Sequence, residues 1–114
     1  MLTVDGLREA DAQVLAQLRA HGDPLTAPRD TLLFFHGGQH EPDAARAKFK
    51  AIAAGGAVHG LAISVLSGRS LSLRGEHRVD PASLKPLIEW ALAAAAEHDV
   101  EFDGWECAVV AARA

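Results

Sequence analysis

The stretch Leu61-Ala62-Ile63-Ser64-Val65-Leu66-Ser67-Gly68-Arg69-Ser70-Leu71-Ser72-Leu73-Arg74 decides the fold. Leu61, Ile63 and Val65 alternate with small or polar residues, and Leu71 and Leu73 alternate with Ser70, Ser72 and Arg74. Period-two patterning on both sides of Ser67-Gly68-Arg69 reads as a β-hairpin. Helical periodicity flanks it. Before it, Pro42 opens a segment whose Ala45, Phe49, Ile52 and Ala53 form one stripe, ending at Gly55-Gly56. After it, Leu84, Leu87, Ile88, Ala91, Leu92 and Ala95 form a broad apolar face. There Asp80-Pro81 makes a loose first turn, and Pro86 delays the regular helix to about Ser83, because an internal proline removes a hydrogen bond.

Farther out lie two more strands. Thr31-Leu32-Leu33-Phe34-Phe35-His36 stops at Gly37-Gly38 and is apolar on both alternating faces, the pattern of a central strand covered on both sides. Phe102 to Val110 is the last strand, with a distortion at Gly104. An N-terminal helix over residues 5–20 carries Leu7, Val14, Leu15 and Leu18 at helical spacing and ends where Gly22 supplies a left-handed cap. The order helix, strand, helix, strand, strand, helix, strand predicts an α+β fold. It is a ferredoxin-like, split βαβ, four-stranded antiparallel sheet over residues 30–112 with an extra N-terminal helix, all within one domain spanning residues 1–114. Strands one and three are central. One sheet face stays open unless the first helix or a second subunit crosses it, and Leu32 or Phe34 beside Trp105 then makes an apolar patch.

Composition narrows function. In 114 residues, 49% are hydrophobic and 23% charged, the balance of a globular chain. The net charge of −4 and the lack of a Lys/Arg-rich run argue against nucleic-acid binding. With Cys107 as the single cysteine, an internal disulfide is excluded and a thiolate zinc site lacks ligands. The first residues lack the basic-then-apolar pattern of a secretory signal, and no apolar run reaches the ~20 residues of a membrane span, so a cytoplasmic location off the membrane is expected.

No catalytic constellation emerges. His36, His40, His59, His77 and His98 are not spaced as metal ligands, and Cys107 sits in a strand with no positioned base, which reads as a buried, inert thiol. The glycine pairs do not form phosphate loops. We therefore expect no cofactor, no metal and no enzyme activity. Arg69, Arg74 and Arg78 with His77 read either as a grip for an anionic group or as a solvated edge. Glu97, Asp99, Glu101, Asp103 and Glu106 form the acidic counterpart around the last strand.

That acidic stretch, Glu97-His98-Asp99-Val100-Glu101-Phe102-Asp103-Gly104-Trp105-Glu106, resembles the hallmark segment of the regulator of ribonuclease activity B family, which inhibits ribonuclease E. Gly22-Asp23, then Pro28-Arg29-Asp30 leading into Leu32-Leu33-Phe34-Phe35, is similar to that family's approach to its first strand. The likeness covers roughly residues 21–110, with Asp103-Gly104-Trp105 as its specific part. It implies a ferredoxin-like sheet and inhibition by contact with the ribonuclease. The best-known members carry a long acidic tail after this region, whereas the sequence here runs to Ala114.

The expected partner surface comprises Glu101, Asp103, Gly104, Trp105 and Glu106. A structural account stands beside it, with Gly104 permitting a bulge and Trp105 filling the core between the last helix and the sheet. Two other readings are a small-molecule binder of the dimeric ferredoxin-like type, its pocket lined by His36, His59 and Trp105, and a module that forms homodimers by pairing sheets.

Overall fold

The computed structural model describes residues 7–110; part of the predicted first helix, Asp5 and Gly6, lies outside them. Three helices and four strands follow the predicted order: α1 (Glu9–Ala20), β1 (Arg29–His36), α2 (Pro42–Gly56), β2 (Ala62–Ser67), β3 (Ser70–His77), α3 (Pro81–Glu97) and β4 (Glu101–Cys107). The strands form one sheet in the order β2-β3-β1-β4, every neighbour antiparallel. β1 and β3 are central and β2 and β4 are edges, an order compatible with the split βαβ arrangement.

The inner face of the sheet is built from the predicted alternation. Leu33 and Phe35 of β1, with Leu71 and Leu73 of β3, are buried against Ala45, Phe49 and Ile52 of α2 and Leu87, Ala91 and Ala95 of α3. A second buried cluster joins Leu15 and Leu18 of α1 to Leu84 and Ile88 of α3 and to Leu7, Leu25 and Val79. Phe102 and Trp105 of β4 pack against both clusters. Helix α1 therefore extends the helical layer beside α3, on the same face of the sheet. It does not cross the second face, and neither cluster contains Leu32 or Phe34. The expectation that β1 is covered on both sides is corrected accordingly: its outward residues are half-buried by their strand neighbours alone.

Several boundaries move for physical reasons. α2 does end at Gly56 as predicted, leading into a short 3-10 turn, Ala57–His59, and the chain turns at Gly60, whose φ is +74°. Gly56 makes room for its neighbours: a Cβ there would lie 3.0 Å from Leu73 and 3.2 Å from the Trp90 indole. α3 starts at Pro81, two residues earlier than predicted, because Asp80 caps it by accepting a hydrogen bond from the Ser83 backbone N–H. Pro86 is tolerated inside, since the carbonyl it leaves unpaired belongs to exposed Ala82. β1 begins at Arg29 because both Arg29 and Asp30 have partners within the fold.

Two bulges reset the alternation. Between Ile63 and Val65 the β2 register shifts, so Val65 pairs with Ser72 on the outer face while Ile63 and Leu66 pair with Leu73 and Leu71 on the inner one. Leu61, Ile63 and Val65 thus do not share a face, as simple alternation predicts. β4 carries the second bulge, described next.

Candidate functional site

β4 is an edge strand of the four-stranded sheet, with β1 as its one neighbour in the strand order. Along it Phe102 pairs with Phe35 and Gly104 with Phe34, which leaves Asp103 as the extra residue of a bulge. Gly104 has a φ of +123°, a conformation that side-chain-bearing residues rarely adopt, while the space around it is open. Its role is therefore conformational. The bulge puts Phe102 and Trp105 on the same inner face, although their spacing of three would otherwise send them to opposite faces.

Trp105 is accordingly turned inward. Its indole N–H donates to the Asp11 carboxylate over 2.8 Å, and Arg8 donates to the same carboxylate through Nε and Nη2 at 2.8 and 2.9 Å. Asp11 is 2% exposed, and the Arg8 guanidinium also sits 5.1 Å from the centre of the Phe102 ring. The aromatic-Asp-Gly-Trp segment is thus the buckle between α1 and the sheet. The patch expected from Leu32 and Phe34 beside Trp105 does not form, since Trp105 pairs with inward-facing Leu33. A carboxylate in an amphipathic helix gives no local sign of burial, and the indole that shields Asp11 comes from 94 residues along the chain.

The remaining predicted site residues point outward. Glu101, Asp103 and Glu106 are exposed on β4, with Glu101 beside His36 at 4.0 Å and Glu106 beside Leu32. Asp99, also exposed, has φ +54° and is tied back through its carbonyl, 2.6 Å from His40 Nε2. These loops frame an open cavity of about 210 Å³ lined by Gly37, Gly38, Gln39, His40, Asp99, Val100 and Glu101.

Beneath the start of β1 lies a buried ion pair. Arg29 and Asp23 have side chains 1% and 0% exposed and form a bidentate contact, Nη2 to Oδ1 at 2.8 Å and Nη1 to Oδ2. Asp23 also accepts from the backbone N–H of Leu25 at 2.8 Å and of Val110 at 3.0 Å. The hydrogen bond from Arg29 above all holds the Asp23 carboxyl well below the usual carboxylate range, and the same pairing raises the guanidinium. Arg29 further donates to the Ala27 and Ala108 carbonyls, closing the loop before β1 onto the segment after β4. Close by, Cys107 is half-buried and not fully enclosed as expected, and its partial burial pushes the thiol up from its ordinary value.

Other predicted groupings come apart. Arg69 lies at the hairpin turn, at the end of the sheet where His36 pairs with Ser70, whereas His77 pairs with Arg29 at the opposite end. Arg74 is held by Asp30 at 2.7 Å and Arg78 by Asp80 at 3.1 Å, so the solvated-edge reading holds and no anion grip is assembled. The pocket of His36, His59 and Trp105 is likewise not assembled: the His59 ring packs at a tilt against Trp90, centroids 5.0 Å apart, and the His59 carbonyl accepts from His77 Nε2 over 2.7 Å. Among the described residues no three His, Cys, Asp or Glu side chains group as metal ligands, and no helix is long and apolar enough to cross a membrane.

No match is found among curated proteins or among solved structures. A scan of protein families, in contrast, matches residues 8–107 to the family described as Regulator of ribonuclease activity B. That span runs from Arg8, which holds Asp11, to Cys107 at the end of β4, and so takes in α1, the whole sheet and the buckle between them. The chain belongs to the regulator of ribonuclease activity B family.

Proposed function

We propose that the chain regulates RNA processing or decay by binding an endoribonuclease of the ribonuclease E type in the cytoplasm, without catalysing a reaction itself. The observation that carries this reading is the family match over nearly the whole described fold. The surface we assign to the contact is the β4 edge with Glu101, Asp103 and Glu106, positioned by the Gly104 bulge and backed by Trp105. Its support is geometric: the strand lies at the edge of the sheet, its carboxylates are exposed, and its inward Trp105 ties it to α1. An anchored, charged edge suits recognition of a basic partner, because less backbone order has to be imposed on binding.

A pull-down from host lysate with tagged chain tests this. Ribonuclease E is expected to be recovered with the native chain and lost with Asp103→Lys and Glu106→Lys together, circular dichroism being unchanged because both side chains are exposed. Recovery of the nuclease by both forms would move the contact off the β4 edge.

A further inference from the structure

Strand pairing shows what lies on the uncovered face of the sheet, since directly paired residues share a face. Its middle row is Val65, Ser72, Phe34 and Gly104, and the next is Ala62, Arg74, Leu32 and Glu106. Phe34 therefore stands between a serine and a glycine, two small cross-strand neighbours, and is itself half-buried. Val65, at 51% exposure, continues the apolar row to the β2 edge. On the same face Asp30, Glu76, Glu101 and Glu106 bring four carboxylates against one arginine, Arg74, which Asp30 already holds through two hydrogen bonds.

From this arrangement we infer that the uncovered face is the seat of a cationic protein segment that lays apolar side chains over Phe34 and Val65 and sets lysines or arginines against Glu101, Glu106 and Glu76. The inference rests on the proposed protein-binding function and extends its contact from the β4 edge onto the sheet. Charge decides the occupant. A second copy carries the same net charge of −4 and so brings no net opposite charge to this acidic face. RNA is polyanionic and is repelled by the same groups. An apolar row within an acidic rim matches a partner with the opposite charge and an apolar stripe.

The test is a titration of purified host ribonuclease E with native chain, Phe34→Thr and Val65→Lys. Val65→Lys alters an exposed edge position and so keeps the fold even where Phe34→Thr weakens it. We expect each to raise Kd about tenfold or more, the size typical of a central interface residue, and native affinity to fall as salt rises. Native-like binding by Val65→Lys and by folded Phe34→Thr, together with loss of binding in Asp103→Lys/Glu106→Lys, overturns the inference and leaves the edge contact standing. Where native chain binds no nuclease, the proposed function fails. The face is then tested with a synthetic Lys/Leu amphipathic peptide: amide shifts centred on Leu32, Phe34 and Ser72 support the inference, and shifts elsewhere or none overturn it. A native dimer in sedimentation that Val65→Lys abolishes also overturns it, by making a second copy the occupant.

Discussion

Replacing Asp23 by Asn is expected to cost about 3–5 kcal/mol of folding stability, because it strands the Arg29 guanidinium inside the protein with its charge uncompensated. The pair is fully buried, and the carbonyls of Ala27 and Ala108, both neutral, are the other oxygens Arg29 donates to among the described residues. Against a total stability of about 5–15 kcal/mol for chains of this kind, such a loss unfolds a large share of the molecules in mild urea. The double change Asp23→Leu with Arg29→Met should cost less than Asp23→Asn alone, since it removes both charges at once. Urea midpoints of the three proteins check this, and a double variant worse than the single would contradict it.

The same pair sets a pH dependence. Asp23 has a folded-state pKa depressed below its unfolded value near 4, so the folded chain binds fewer protons than the unfolded one in that range. Its stabilisation is therefore fully present above about pH 5 and erodes as the pH falls through 4 and below. Acid titration of the native chain should show this loss, and Asp23→Asn should flatten it.

Trp105→Ala is the second large expected effect, about 3 kcal/mol, the lower end for removing an aromatic core side chain because Trp105 is half-buried. Two costs add: the inner face loses a ring that packs against both clusters, and buried Asp11 loses its indole donor. Trp105→Phe keeps most of the packing and removes only the donor, so it should cost less, about 1–2 kcal/mol. Because the indole joins α1 to β4, hydrogen exchange in Trp105→Ala should quicken in α1 well before α2, which packs on the far half of the sheet. Uniform quickening throughout would mean that α1 and the sheet open as one unit.

The hairpin, both flanking helices and the central place of β1 and β3 are legible because each rests on local periodicity with glycine or proline punctuation. The outward or inward direction of Trp105 is not. It depends on one extra residue, Asp103, accommodated by the φ of Gly104, and a shift of one residue reverses every side chain beyond it. The glycine was a visible signal of distortion, but its consequence for Trp105 required the pairing with β1. Gly55-Gly56, by contrast, is a legible helix stop, since α2 ends at Gly56.

The outward carboxylates of β4 were legible as a charged run, and their placement on an edge strand followed from the predicted topology. Asp11 and the Asp23–Arg29 pair were not recognised as buried. Asp11 stands between two alanines of an amphipathic helix and Asp23 in a Gly-Pro loop, so neither shows its burial locally; contacts to Trp105 and to Arg29 at the start of β1 take them out of water.

The most direct test of the account is the cleavage rate of purified ribonuclease E on a defined RNA as the native chain is added. The account predicts a rate that falls and saturates near one chain per nuclease binding site, with full rate restored when Glu101, Asp103 and Glu106 are all changed to Lys. An undiminished rate at saturating native chain, with no complex detected by sedimentation, would contradict it.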